Sequence, residues 1–114
     1  MLSSLGFALS GIKAALKMLD TSAHNTANAN TDGYQKQKAE LNEQDNGGVI
    51  VTLTSTSASG AKQTDANGAA VEASTTDYAE EAAAQISAKH LLGANAAALK
   101  TEDEMQKSII DIFA

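Results

Sequence analysis

The sequence contains no cysteine, no proline and no tryptophan in 114 residues, and its aromatic residues are two phenylalanines and two tyrosines. The lack of cysteine excludes a disulfide framework, a zinc–thiolate site and a thiol nucleophile. The lack of proline leaves long helices without an internal breaker. With so few aromatic residues, we expect about one domain with a thin core and no deep pocket.

Arginine is also absent, because all eight basic residues are lysines, and the formal net charge is −6. An acidic chain without clustered basic residues argues against a nucleic-acid partner. The apolar N-terminal stretch has Lys13 and Lys17 inside it rather than before it, so we expect no conventional cleaved signal. No run of about 18 apolar residues is found, so we expect no membrane span.

Large apolar residues recur through the first quarter of the chain at alternating spacings of three and four. This heptad pattern predicts a helix from Leu2 to about Asn28 that packs along another helix. A second, smaller apolar set consists of Phe7, Ala14 and Met18. Two interpretations stay open for it: one wide apolar stripe, or a helix buried on two sides by a partner helix and a neighbouring subunit. The heptad stripe consists of Leu2, Leu5, Leu9, Ile12, Leu16, Leu19 and Ala23.

The segment "ANANTDGYQKQ", residues 27–37, predicts the end of that helix. Asn28 and Asn30 tolerate the left-handed conformation and compete for backbone hydrogen bonds, so they end helices. Gly33 can supply a positive φ for a tight turn. From Tyr34 a weak polar–apolar alternation predicts an extended segment to about Leu41.

The middle of the chain has a different character. The run "GGVIVTL", residues 47–53, is β-prone and follows a glycine pair. Residues 54–70 contain no large apolar side chain and cannot bury enough surface to offset their ordering entropy. We expect a mobile loop or a loose β-hairpin there, with Val71 beginning a short return strand.

Helical periodicity returns after residue 75. Thr75, Thr76 or Asp77 can cap a helix whose first turn holds Glu80 and Glu81. We predict one helix from about Asp77 to Phe113, with a break at the capping box "TEDE", residues 101–104, as the alternative. Its apolar stripe is Leu91, Ala98, Met105, Ile109 and Ile112, widened by Leu92, Ala96 and Leu99.

The predicted fold is mainly α, with two long terminal helices forming an antiparallel α-hairpin or coiled coil around a short, flexible β-like insert. The divisions are residues 1–33 for the first helix and junction, 34–74 for the insert, and 75–114 for the second helix. Two helices cannot fully bury their apolar stripes in each other. We therefore expect a marginal monomer that gains order by packing against copies of itself or a partner.

Both ends of the chain resemble one family. Leu19–Gln37 resembles the N-terminal signature of flagellar axial proteins, which are the rod, hook and hook-associated subunits, and Val71–Phe113 resembles their C-terminal helix. Departures from the family pattern are Asp32, where proline is common, Ala82–Ala83 and His90. The short middle is most similar to the short proximal rod proteins. The matching N-terminal positions are Asn25, Ala27, Asn28, Asn30, Thr31, Gly33 and Tyr34.

The resemblance implies a structural subunit of the bacterial flagellar basal-body rod, with no catalytic residue, no cofactor and no metal. Such subunits pass partly unfolded through the type III export apparatus and stack into a tubular helical polymer. The implied partners are copies of the chain and other flagellar axial proteins, and the implied location is the exported, periplasm-spanning rod. We expect no small-molecule substrate. The main alternative is a self-associating helical-hairpin adaptor that binds a protein partner; an enzyme or metal protein is the third class.

Among polar residues, His24 and His90 could share a metal across the hairpin, but no further ligand pattern accompanies them. Glu80 and Glu81 point about 100° apart on a helix, so we interpret them as first-turn charges rather than an acid–base pair. The predicted subunit interface contains Leu2, Leu5, Phe7, Leu9, Ile12, Leu16, Met18, Leu19, Asn28, Asn30, Thr31, Gly33, Tyr34, Leu92, Asn95, Leu99, Met105, Ile109 and Ile112.

Overall fold

The structure is a computed structural model that describes residues 2–113, with side chains from Ser4 onward. It is mainly helical and strongly elongated, with extents of 77 × 24 × 15 Å. Along the chain, two small β-hairpins lie between two long helices. The elements are α1 (Leu2–Ala27), β1 (Gln37–Glu43), β2 (Val49–Ser55), β3 (Lys62–Thr64), β4 (Ala70–Glu72) and α2 (Tyr78–Phe113).

The two helices lie side by side and contact each other along most of α1. Ser4 Oγ donates a hydrogen bond to Glu102 near the start of α1. Gly11 lies against the Asn95 side chain, and Ser22 Oγ donates to the Glu81 carbonyl at 3.1 Å. Residue numbers therefore rise along α1 as they fall along α2.

Small side chains form the contact between the helices. Ala8, Gly11, Ala15 and Ser22 are buried on one face of α1, and Ala88 is buried on α2. The helices approach so closely that a Cβ atom on Gly11 would lie 2.4 Å from Asn95 Oδ1. Only glycine fits at that point without displacing the asparagine.

The prediction that the leucine heptad stripe forms this contact is wrong. Leu9 and Leu16 are 46% and 47% exposed, and Leu5, Ile12 and Leu19 are only half-buried. At about 100° per residue, the centre of the leucine stripe lies roughly a quarter of a turn around α1 from the small-residue face. The helices pair through the smaller side chains because these allow closer approach, so the leucines flank the contact instead of filling it. The side chain of Leu2 lies outside the described residues.

The first hairpin covers a second side of α1. β1 and β2 pair antiparallel from Gln37↔Ser55 to Glu43↔Val49. Ser10 Oγ accepts a hydrogen bond from Val49 N at 3.1 Å, and the Phe7 ring lies so close to Gly47 that a Cβ there would clash. Ala14 is buried, so the two-sided interpretation of α1 holds for this position. The chain's own hairpin supplies the cover here, rather than the neighbouring subunit of that interpretation.

The second hairpin pairs β3 with β4, from Lys62↔Glu72 to Thr64↔Ala70. Its turn is held by Asp65 Oδ1, which accepts from Asn67 N and Ala69 N at 2.8 Å each. This pairing agrees with the β-hairpin alternative for the polar middle of the chain. The mobility of that segment stays a prediction.

The helix ends follow the sequence signals with one correction. α2 runs without a break through Thr101, and Asp77 Oδ1 caps it by accepting from Ala79 N at 2.8 Å. Gly33 has a φ of 67° as expected, but no non-glycine residue in the described range has a positive φ. Asn28 and Asn30 therefore do not end α1 in the left-handed conformation. Within residues 2–113, neither helix has the length and hydropathy together that crossing a membrane requires.

Candidate subunit interface

The end of α1, the start of β1 and the start of α2 meet around Asn25, which is 1% exposed. Asn25 Nδ2 donates to the Gln37 carbonyl at 2.7 Å and to Glu81 Oε1 at 2.9 Å. Asn25 Oδ1 accepts from the Tyr34 hydroxyl and from Gln37 N, both at 2.9 Å. All four hydrogen-bonding positions of the amide are used, so its orientation is fixed. Asn25, Tyr34, Gln37 and Glu81 are called the junction cluster below.

Glu81 lies in the first turn of α2, in agreement with the interpretation as a first-turn charge, and it also makes buried contacts. Its side chain is buried, and its backbone carbonyl accepts from Ser22 Oγ. Gln85 Nε2 extends the polar contact by donating to Ser22 Oγ at 3.2 Å. Glu80 differs from its neighbour, because it lies at the surface and pairs with Lys36. A buried carboxylate is tolerated here because the Asn25 amide donates to it.

Tyr34 fixes the direction of the amide. Burial raises the pKa of the Tyr34 phenol, and the negative charge of Glu81 raises that pKa further. The hydroxyl therefore keeps its proton at neutral pH and donates it to Asn25 Oδ1. The amide nitrogen is left to face the Glu81 carboxylate, which can only accept.

The loop after α1 is tied to the start of α2 and to the second hairpin. Gly33 N donates to the Glu72 carbonyl at 2.6 Å, and Asn30 Nδ2 lies 3.5 Å from the Tyr78 hydroxyl. Thr75 N donates to the Tyr34 carbonyl at 3.0 Å. Asn30, Thr31 and Gly33 are exposed, and Asn28 is half-buried. These predicted interface residues surround the junction cluster, and their contact with a neighbour stays a prediction.

The sequence prediction omitted Asn25 and Glu81 from the candidate site. Asn25 is one of the family-like positions, but the predicted interface includes Asn28 and Asn30 because they belong to the junction that the resemblance implies. The available signal was the helical position of Asn25, which shares the face of Ala8, Gly11, Ala15 and Ser22. A polar residue that continues a small-residue face is placed to be buried and to need partners.

Among the described residues, two apolar surfaces on the helices are exposed. On α1 the leucine stripe presents Leu9 and Leu16. On α2, eleven residues follow Glu102, the partner of Ser4, and the last nine of them span about 13 Å at about 1.5 Å per residue. This α2 overhang (Met105–Phe113) includes Ile112 and Phe113, which are 76% and 86% exposed. Its other exposed large apolar residues are Met105, Ile109 and Ile110.

The other predicted interface residues lie beside the helix contact. Phe7 is 44% exposed and lies over the Gly47 turn. Asn95 Nδ2 donates to the Leu91 carbonyl at 2.8 Å, and the Asn95 amide faces Gly11 of the same chain. Its nearest described partner is therefore α1, and any contact with a neighbouring subunit is untested. Met18, Leu19, Leu92 and Leu99 are half-buried.

No chemistry-bearing cluster competes with this description in the part of the chain that the structure describes. His24 and His90 are both exposed, and His24 makes an edge-to-face contact with Tyr34 at a centroid distance of 5.9 Å. Within residues 2–113, no group of three or more histidine, aspartate or glutamate residues is placed to hold a metal ion. An open groove of about 630 Å³ lies between the first hairpin and the helices, with Phe7, Leu41 and Leu91 among its lining residues.

Comparison with known protein families adds an independent finding. Residues 5–35 match the model of the family described as flagella basal body rod protein. The matched segment covers most of α1 and the loop as far as Tyr34, so it includes Asn25 and Gly33. No curated protein matches the chain. The matched family is a structural one and not a known enzyme family. The match supports a flagellar rod-family protein, and that family belongs to the flagellar basal body.

Proposed function

We propose that the chain is a structural subunit of the bacterial flagellar rod, assembled into an axial tubular polymer through its terminal helices after type III export. The observation that carries this proposal is the exposure of both apolar surfaces on an elongated hairpin whose N-terminal segment matches the rod family. A chain that leaves its large apolar side chains outside its own helix contact has them available for neighbours.

The hairpin itself serves as the repeating unit. We propose that α1 and α2 form an antiparallel coiled coil, because their contacts run in reverse order over most of α1. Its neighbours are copies of the chain and other flagellar axial proteins. A contact between two different surfaces of identical subunits does not close on itself, so it builds a filament rather than a dimer.

The junction cluster has a geometric role in this proposal. It joins α1, β1 and α2 through a fully satisfied buried amide. Such a network fixes one arrangement more strongly than apolar contacts do, because any other arrangement leaves polar groups unpaired. A polymer with a regular helical symmetry needs every subunit to hold its insert at the same angle to its helices.

Passage through the export channel suits the weak helix contact. Alanine, glycine and serine side chains bury little apolar surface, so they contribute little to the free energy of unfolding. The monomer can then unfold for transport and regain order when neighbours cover its leucines. We propose that the export apparatus handles the chain in that unfolded form.

Incorporation into basal bodies tests the proposal. We expect Leu9→Asp or Ile109→Asp to abolish incorporation, because each places a charge on an exposed apolar surface. Ala66→Asp, in the turn of the second hairpin, is the matched control and should incorporate normally. Normal incorporation of either test variant contradicts the role of these surfaces. Absence of the unmodified chain from purified basal bodies, together with a concentration-stable dimer in solution, would favour the adaptor.

A further inference from the structure

A second groove, smaller than the one under the hairpin, lies on the outer side of α1. It runs between α1 and β2, has a volume of about 400 Å³, and is lined by Leu9, Lys13, Lys17, Ile50 and Val51 among others. We call these five residues the α1–β2 groove. Leu9 and Ile50 are about half exposed. The groove therefore combines an apolar floor with two ammonium groups at its edge.

Lys13 and Lys17 form no salt bridge with any of the described residues. The described residues form four salt bridges, through Lys36, Lys38, Lys100 and Lys107. Neither Lys13 nor Lys17 takes part in any of them. Two lysines without salt-bridge partners thus line an apolar groove on a chain whose net charge is −6. They favour an occupant that is both apolar and acidic.

The α2 overhang has this chemistry. It presents exposed Ile109 and Ile112, and Asp111 lies on another side of the same helix. The lysine of the overhang, Lys107, is paired with Asp103, whereas Asp111 forms no salt bridge among the described residues, so Asp111 is the unpaired charge of the overhang. The overhang cannot reach the groove of its own chain, because α2 continues straight past the start of α1 as one helix. The larger groove is a poorer match, since Glu43 lies at its edge.

We propose that the α2 overhang of one copy docks in the α1–β2 groove of the next, with Ile109 and Ile112 against Leu9 and Ile50 and the Asp111 carboxylate beside Lys13 and Lys17. This inference rests on the proposed function and names one contact within the polymer. An amphipathic helix in an apolar groove is a common recognition mode. The two surfaces differ, so each copy can bind one neighbour through its groove and another neighbour through its overhang.

Cross-linking between full-length chains tests the contact, because the natural sequence has no cysteine and only introduced thiols can react. One preparation carries Ile50→Cys and the other carries Ile112→Cys. On mixing under mild oxidation we expect the mixed disulfide dimer to dominate over either symmetric dimer. Adding Lys13→Glu and Lys17→Glu to the Ile50→Cys chain should slow its formation at least tenfold. Adding Asp111→Lys to the other chain should restore the rate.

The control is Lys62→Glu with Lys89→Glu, which makes the same change of net charge at exposed lysines away from the groove. This control should leave the rate unchanged, and circular dichroism should give the same helix content for every variant. Equal rates for the groove and control variants, or mainly symmetric dimers, would overturn the docking contact. Cross-linking as expected in a chain that never incorporates into basal bodies would refute the rod role and leave this contact standing. If the chain incorporates into basal bodies but its cross-linking does not respond to the charge changes, the docking contact is refuted and the rod role stands.

Discussion

Replacing the buried amide of the junction cluster with a carboxylate is the sharpest test of how this fold is held together. Asn25→Asp keeps the side-chain shape but removes both donors of the amide. The Gln37 carbonyl loses its partner at 2.7 Å, and a second carboxylate faces Glu81 at the 2.9 Å position of the lost hydrogen bond. The lost bond to Gln37 costs about 1 kcal/mol.

The larger cost comes from the two facing carboxylates, which can either both stay ionised or share one proton. Two ionised carboxylates about 3 Å apart repel by about 5 kcal/mol at an effective dielectric constant of about 20. Keeping one carboxyl protonated at pH 7 costs about 4 kcal/mol, because each pH unit above its usual pKa costs about 1.4 kcal/mol. Protonation is the smaller cost, so the carboxyl pair shares a proton. We expect a total destabilisation of about 5 kcal/mol at pH 7.

The pH dependence follows from that proton. In the folded variant the pKa of one carboxyl is raised above its unfolded value, so the folded state holds more protons than the unfolded state at neutral pH. The free energy of unfolding of the variant, relative to the natural chain, then falls as pH rises, by about 1.4 kcal/mol per unit between about pH 4.5 and 7. At pH 4.5 the shared proton restores a donor between the carboxyls, and about 1 kcal/mol of loss should remain.

Urea unfolding followed by circular dichroism measures these quantities, with an osmolyte added so that the marginal monomer starts folded. The matched control is Asn25→Asp combined with Glu81→Gln, in which the glutamine amide donates to the new aspartate. It should recover most of the loss at pH 7 and remove most of the extra pH dependence. An Asn25→Asp chain within 1 kcal/mol of the natural chain at pH 7, or one with the same pH profile, would refute the geometry of the junction cluster.

Two further predictions concern other contacts of the hairpin. Gly11→Ala should lower the free energy of unfolding by about 1–3 kcal/mol through overpacking against Asn95. Gly6→Ala, which has open space around its site, should raise the free energy of unfolding by about 0.5–1 kcal/mol. A stabilising effect of Gly11→Ala in urea unfolding would mean that the helices are not so close. Tyr34 keeps its proton at higher pH in the folded chain than in the unfolded chain, so stability should fall as pH rises above about 10. Tyr34→Phe should reduce that alkaline loss and should itself cost about 1 kcal/mol at pH 7, measured by unfolding at several pH values, and an unchanged alkaline profile would contradict this account.

The positions of the helices were predictable from local signals. The heptad spacing, the Asp77 cap and the run of helix-forming residues placed both helices within about two residues of their observed bounds. The ion pairs Lys100–Glu104 and Asp103–Lys107 were predictable for the same reason, because residues four apart share a helix face. Each of these features depends only on residues within a few positions of one another.

The face used for helix pairing was not predictable in this way. Both the leucine stripe and the stripe of Ala8, Gly11, Ala15 and Ser22 recur with heptad spacing, and periodicity alone does not rank them. Hydrophobicity favoured the leucines. The structure uses the small residues because Gly11 and Asn95 let the two backbones approach closely. That advantage depends on a residue 84 positions away, and no local pattern encodes it.

The junction cluster was missed for a related reason. Helix propensity explains why α1 ends near Asn28, but it does not indicate which asparagine is buried. The partners of Asn25 lie 9, 12 and 56 positions along the chain. Only the folded arrangement brings Tyr34, Gln37 and Glu81 to the same point. The structural role of Asn25 therefore depends on contacts that a single sequence does not reveal.

The choice of small residues for the internal contact has an energetic consequence for assembly. The seven exposed large side chains of the leucine stripe and the α2 overhang would each gain about half of the usual 1.5–3 kcal/mol on burial, which is on the order of 5–10 kcal/mol per subunit. Association costs about 4–15 kcal/mol in lost freedom, so these side chains would barely hold one pair of copies together. A subunit surrounded by several neighbours loses that freedom once while its exposed side chains are covered from several directions. Had the leucines filled the internal contact, the monomer would be more stable and the assembled state would gain little. The proposed polymer therefore depends on the hairpin packing weakly within itself.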